Sequence, residues 1–329
     1  MVLWVGTYPH TGLGTPAGTG EGVWRVLVDG EAGRFETLAL ELALPAPSFV
    51  VPHPSGRAVY AVSETAPGGL TAFRPGAGAA SAVTVPSGGE LPCHLLLHRD
   101  ALYVSHYLDG SVTVHRVDEH GHLRDRGPVQ VLGPAGTGPS HAHAAAVAPD
   151  GAHLLVADLG ADSLRRLRLL EDGRLEDAGV AARFPAGTGP RHVAVGADGL
   201  LHVTGEVAGT LTTLRWHDVT ASAEVIGTVE LPGGTDGYPA HVVRYGGAVH
   251  ASVRGPDVVV SVAADGAADR ATRSVAAGGR WPRHFAPVGG RFVVAAERSH
   301  ELVLLDAGGT VLDRAAIPSP ACISVEVTK

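Results

Sequence analysis

Two histidines one residue apart, His141 and His143, sit in the stretch GTGPSHAHAAAVAPDGAHLLVADLGAD, residues 136–162. Alternate side chains of a strand share a face, so both rings can point one way. Imidazoles so placed suit proton transfer or a divalent metal. Further along stand GPRH with Arg191, VTGE with Glu206, VRG with Arg254 and WPRH with Arg283. An imidazole, a carboxylate and several guanidiniums are the parts of an acid–base site for an anion. The first two move a proton, and the arginines hold negative charge. Whether the parts meet depends on the elements that carry them.

Composition narrows those elements. Among 329 residues there are Gly 45 and Pro 23, with 45% hydrophobic residues. That richness in Gly and Pro disfavours helices and predicts many turns around a sizeable core. A net charge of −8 speaks against a nucleic-acid partner. There is no 18-residue apolar run, so no membrane span is expected. The start, MVLWVGTYPHTG, lacks the marks of a signal peptide. Only Cys93 and Cys322 occur, which fits a reduced, cytoplasmic protein without a disulfide framework. The only lysine is Lys329 and there is no asparagine, so Schiff-base and Walker-type chemistry lack a candidate residue. No G-x-S-x-G elbow occurs, and no G-x-G-x-x-G opens a helix after a strand.

The polar residues belong to a repeat. Pro47, Pro92, Pro139, Pro190, Pro239 and Pro282 each open a similar unit, at spacings of 45, 47, 51, 49 and 43. A seventh opening, SPACISVEV, begins 38 residues later at Pro320. Each unit reads as an apolar strand, a turn such as PDG or ADG, a second strand rising to a polar residue, then an alternating third strand and room for a fourth. Units of this size with that content predict propeller blades. Residues 1–46 supply three strands without a proline-led first one, and the last residues supply only that strand. The expectation is one all-β domain over residues 1–329, a seven-bladed β-propeller. Its last blade is closed by the C-terminal strand pairing with N-terminal strands.

In a blade the first strand lines the channel and the second returns antiparallel. The start of one and the end of the other therefore share a mouth. One ring of residues follows the prolines: Ser48 and Phe49, Cys93 and His94, His141 and His143, Arg191 and His192, His241, Arg283 and His284, and Cys322. The other ends the second strands: Glu64, His106 with Tyr107, Asp158, Glu206, Arg254, Glu297 with Arg298, and Tyr8. Convergent titratable groups in a concave place suggest a site. Recurrence also has a structural reading. His94, His192, His241 and His284 recur in register, and a histidine after proline can bridge to the next blade's backbone. Asp158 can hold a turn, and Glu64 and Glu297 can neutralise arginines. Arg191, Glu206 and Arg254 break the pattern, and His143 lies in an insertion. Residues 10–22, glycine-rich and following Tyr8, read as a lid or as a solvated loop.

These strings, above all GPSHAHAAAVAPDGAHLLVADLGAD, GTGPRHVAVGADGLLHVTGE, VRG and WPRHFAPVGGRFVVAAERSHELVLLD, resemble the lactonase family of seven-bladed propellers. That family includes propeller-type 6-phosphogluconolactonases and carboxymuconate cyclases. The resemblance implies that His143 is the active-site histidine, judged by its distance to the P-D-G turn. It assigns Arg191, Glu206 and Arg254 as its partners and often places an arginine at Arg283. Where the family commonly writes N-E and N-R-G, this chain has Gly205-Glu206 and Val253-Arg254-Gly255. The expected catalytic set is His143, Glu206, Arg191 and Arg254. Arg283, His94, His141, His192, His241, His284, Glu64 and Tyr8 are expected to bind substrate. Glu206 is favoured as base and His143 as acid for opening an anionic sugar-type lactone. A muconate-type cycloisomerase or lyase, or a binding propeller without catalysis, are the alternatives. No metal or cofactor is expected, and the sequence names no protein partner.

Overall fold

The computed structural model describes residues 1–8, 18–126, 130–131, 138–265 and 273–326. Among them the strands form seven antiparallel sheets, arranged as a β-propeller. Blade 1 runs outward from the channel as Val50–Pro52, Val59–Ser63, Gly69–Phe73 and Val83–Pro86. Blades 2 to 6 begin at Pro92–His98, Ala142–Val147, Pro190–Val195, Tyr238–Tyr245 and Pro282–Val288. In the closing blade Pro320–Val325 is innermost and pairs with Val2–Thr7, followed by Gly22–Asp29 and Arg34–Ala43. Leu3 pairs with Val325, Trp4 with Ser324 and Val5 with Ile323, so the two ends of the chain close the ring as expected.

Burial explains the patterning. Second strands are covered on both faces by neighbouring blades and read as nearly continuous apolar runs. Val59–Ser63 and Leu200–Gly205 are buried throughout. Outermost strands alternate, as Val311–Ala316 does. The core lies between blades. Leu3, Val26, Ile323, Val293 and Leu302 pack together where the closing blade meets blade 6. On the other side Trp4 meets Phe73 edge-on at 5.8 Å. There Gly6 is required, because a Cβ would lie 2.2 Å from the Pro47 carbonyl oxygen.

One boundary departs from expectation. The inner strand of blade 3 begins at Ala142, not directly after Pro139. Asp158 holds the intervening loop, accepting from Ser140 Oγ at 2.7 Å and from the His141 N–H at 2.9 Å. Of the segment 10–22, residues 10–17 lie outside the described residues.

Candidate active site

The register decides where each polar side chain goes. In blades 2 to 6 and the closing blade, pairing shifts near the start of the inner strand, so that two inner residues oppose one on the second strand. Such bulges re-aim side chains. The opposing residue carries a hydroxyl in blades 2, 4 and 5, Ser105, Thr204 and Ser252, and two of these hydroxyls accept from the bulge. Thr204 Oγ1 accepts the His192 N–H at 3.1 Å, and Ser252 Oγ accepts that of His241 at 3.2 Å. The bulge splits each Pro-x-His into two rings. The first holds Cys93, His143, Arg191, Ala240, Arg283 and Ala321, with Ser48 alike in blade 1. The next holds His94, Ala144, His192, His241, His284 and Cys322, with Phe49 in blade 1. His143 is thus the counterpart of Arg191 and Arg283, and Ala144 stands where other blades carry the recurrent histidine.

Ser48, Cys93, Arg191, Arg283 and Ala321 line a narrow cavity of about 10 Å³, together with Phe49, His192 and His284 of the second ring. Phe49 and His284 also line the opposite half of the channel with His241, so the second ring is a plug. His241 stacks on His284 at 3.6 Å, His192 Nδ1 meets His241 Nδ1 at 2.9 Å, and Phe49 packs on His94 at 4.4 Å. Two plug rings bridge blades. His94 Nδ1 accepts the Ala145 N–H and His284 Nδ1 that of Ile323, each at 3.4 Å. The recurrent histidine thus has a structural role, and His192 and His284 also reach the cavity.

Two charged clusters surround it. In blades 4 and 5 Glu206 takes Arg191 Nε at 2.9 Å on one oxygen and an Arg254 terminal nitrogen at 2.8 Å on the other. Arg191 also donates to the Ala240 carbonyl and Arg254 to that of Tyr238. Across the mouth Arg283 pairs with Glu297 at 3.2 Å and lies 4.0 Å over the Tyr8 ring, whose hydroxyl donates to Glu64 at 3.4 Å. His143 sits between the clusters, 5.4 Å from the His192 ring and edge-on to Tyr107 at 6.1 Å. Its Nδ1 is buried and has no hydrogen-bond partner among the described residues. His141 lies outside, stacked on Tyr107 at 4.6 Å with Nδ1 2.6 Å from the Tyr107 carbonyl. Tyr107, Ser48, Cys93 and Glu297 stood in the two rings read from the sequence but not in the expected site, and they face it. The bulge register would have found Ser48 and Cys93. Among the described residues no three His, Cys, Asp or Glu side chains converge as a metal site.

Burial and neighbouring charge set the protonation. Burial, then the Arg191 and Arg283 charges, hold His143 well below the usual imidazole value. Burial would raise the Glu206 carboxyl, but Arg254 and Arg191 outweigh it and hold the group low. Burial and the Arg254 charge press Arg191 down to about 9, which leaves it charged at neutral pH. Burial and Arg191 bring His94 and His241 down to about 3. Their ordinary value, held in the unfolded chain, is 6.5. Between those values the unfolded chain binds more protons than the folded one. Stability is therefore full above the unfolded value and falls as pH drops toward the folded one, by about 1 kcal/mol per pH unit for each ring. Chemical denaturation from pH 7 to pH 5 should show this decline, and His241→Phe should make it shallower. An unchanged slope in that variant would refute the assignment.

Comparison with known proteins agrees with this fold. The family model described as lactonase, 7-bladed beta-propeller, matches residues 2–322. No curated protein sequence matches the chain. A candidate 6-phosphogluconolactonase from Bacteroides uniformis superposes with a TM-score of 0.83 at 21% identity, covering 98% of both chains. The periplasmic gluconolactonase of Pseudomonas aeruginosa gives 0.81 at 25% identity, again over 98% of both. A virginiamycin B lyase from Staphylococcus aureus shares the fold more distantly, at 0.59 and 12% identity over 83% of each chain. No helix among the described residues is long and apolar enough to cross a membrane. With its ring closed by both chain ends and the family model matched from residue 2 to residue 322, the chain belongs to the lactonase family of seven-bladed β-propellers.

Proposed function

We propose that the protein hydrolyses an anionic, sugar-type lactone at this mouth, in the manner of a 6-phosphogluconolactonase. The observation that carries the reading is the convergence of Arg191 and Arg254 on Glu206, beside a buried His143 and across from Arg283. Guanidiniums in a site shielded from water are suited to an anionic substrate and to the oxyanion of a tetrahedral intermediate. In this proposal His143 takes the base role first favoured for Glu206. A neutral imidazole held well below its usual value is a poor acid at neutral pH and a ready acceptor. A carboxylate gripped by two arginines is a weak base, and its task is to hold both guanidiniums in place. His143 therefore takes the proton from water, while Arg191 and Arg254 receive the negative charge. A cytoplasmic setting agrees with two free, buried thiols.

The test compares 6-phosphogluconolactone with unphosphorylated gluconolactone. We expect the phosphorylated lactone to be preferred by at least roughly tenfold, the scale of one charge-assisted hydrogen bond. Arg283→Ala should erase most of that preference through KM. Equal rates on both lactones would remove the phosphate role. Turnover of neither lactone, with activity on a muconate-like carboxylate, would replace hydrolysis by the cycloisomerase reading.

A further inference from the structure

Two carboxylates face the mouth from blades 1 and 4, and their surroundings differ. Glu206 touches two guanidiniums. Among the described residues Glu64 forms an ion pair with none: Arg283 turns a terminal nitrogen to Glu297 instead. One Glu64 oxygen accepts the Tyr8 hydroxyl at 3.4 Å. The other, Oε2, is sealed from water; its polar neighbour is Ser48 Oγ, itself sealed, a hydroxyl that can give to the carboxylate or take from the acid, and neither atom has another partner among the described residues. An ionised oxygen in such a place is costly. A protonated one gains an O–H that can be given to Ser48 or to a bound molecule. Glu64 lines the outer mouth beside Ala46, Thr65 and Leu91, while Ser48 and Arg283 at its side line the inner cavity. The groups facing it are Ser48 of its own blade, Cys93 and Tyr107 of blade 2, Arg191 of blade 4, Arg283 and Glu297 of blade 6, and Tyr8 of the closing blade. Burial outweighs the two arginines and raises the Glu64 carboxyl, opposite in direction to Glu206. Paired groups driven apart in this way mark an acid and its counterpart.

We propose that Glu64 is the general acid of this site, held as the neutral carboxylic acid and donating its proton to the leaving ring oxygen. The proposal rests on the lactonase reading above. Water adds its oxygen to the acyl carbon, and its proton passes to the His143 ring. The bond from the acyl carbon to the ring oxygen then breaks. Its electron pair stays on that oxygen, which takes the Glu64 proton. A hydroxy acid, a Glu64 carboxylate and a His143 imidazolium result. Solvent returns the His143 proton to Glu64, so only water is consumed.

Two measurements on the full chain test this. The first is the infrared difference spectrum between wild type and Glu64→Gln at pH 7. A protonated-carboxyl band lost in the variant is expected, and its absence overturns the proposal whatever the substrate. Titration of the wild-type band serves the same end if the variant misfolds. The second compares 6-phosphogluconolactone, whose alkoxide leaves poorly, with a carboxylate-bearing dihydrocoumarin, whose phenolate leaves unaided. Glu64→Gln should lower kcat roughly 10²–10⁴-fold on the first and less than about tenfold on the second, where the leaving oxygen needs no proton. Equal losses on both would make Glu64 structural and overturn the assignment. If wild type opens neither lactone, the lactonase reading fails, and the infrared band alone decides whether Glu64 stores a proton.

Discussion

Glu206→Gln is expected to lose at least roughly 10²-fold in activity, the scale of misplaced catalytic groups, and to lose stability at the same time. The carboxylate is the shared counter-charge of Arg191 and Arg254, whose side chains are only 5% and 4% exposed. Removing it leaves two buried guanidiniums facing each other. Breaking a buried pair costs about 3–5 kcal/mol; the low end applies because the Glu206 side chain keeps 22% exposure. The two guanidiniums, no longer neutralised, suit an anion bound beside the Gln amide, since guanidiniums bind phosphate through two parallel hydrogen bonds. Inorganic phosphate should therefore stabilise Glu206→Gln far more than wild type, by linkage of binding to folding, without restoring turnover. Denaturation midpoints with and without phosphate check this. A variant as stable as wild type, or an equal phosphate effect on both proteins, would remove Glu206 from the role of arginine holder.

His143→Gln should behave in the opposite way on stability. Loss of the base should cost roughly 10²–10⁴-fold in kcat. Folding should not suffer, because the buried Nδ1 has no partner among the described residues to lose. Desolvation and the Arg191 and Arg283 charges keep the ring unprotonated well below 6.5. The acid limb of kcat/KM in wild type should thus lie below that value and vanish in the variant. An acid limb at or above it, or a variant that keeps full turnover, would show that another group accepts the proton.

How much of this was legible in the chain can be read from single residues. Arg191, Glu206 and Arg254 stood out because each breaks a repeat, and they do meet. His141 stood out for its neighbour and proves to be a rim residue, stacked on Tyr107. Aligning blades on proline put His141 at the position of the recurrent histidines and left His143 in an insertion. The bulge places it with Arg191 and Arg283, because Asp158 holds Ser140 and His141 outside the strand. Glu64 was legible as a position at the end of a strand. Its difference from Glu206 was not, since it lies in which carboxylate Arg283 chooses.

By itself, then, the sequence determined the number of blades, their order and the closure of the ring. Those follow from turn residues and apolar periods, which act over a few positions and repeat along the chain. Only the tertiary structure decided which side chains face the cavity and which groups carry protons. A one-residue bulge changes where a side chain points. Protonation depends on burial and on charges brought from other blades, which no stretch of sequence contains.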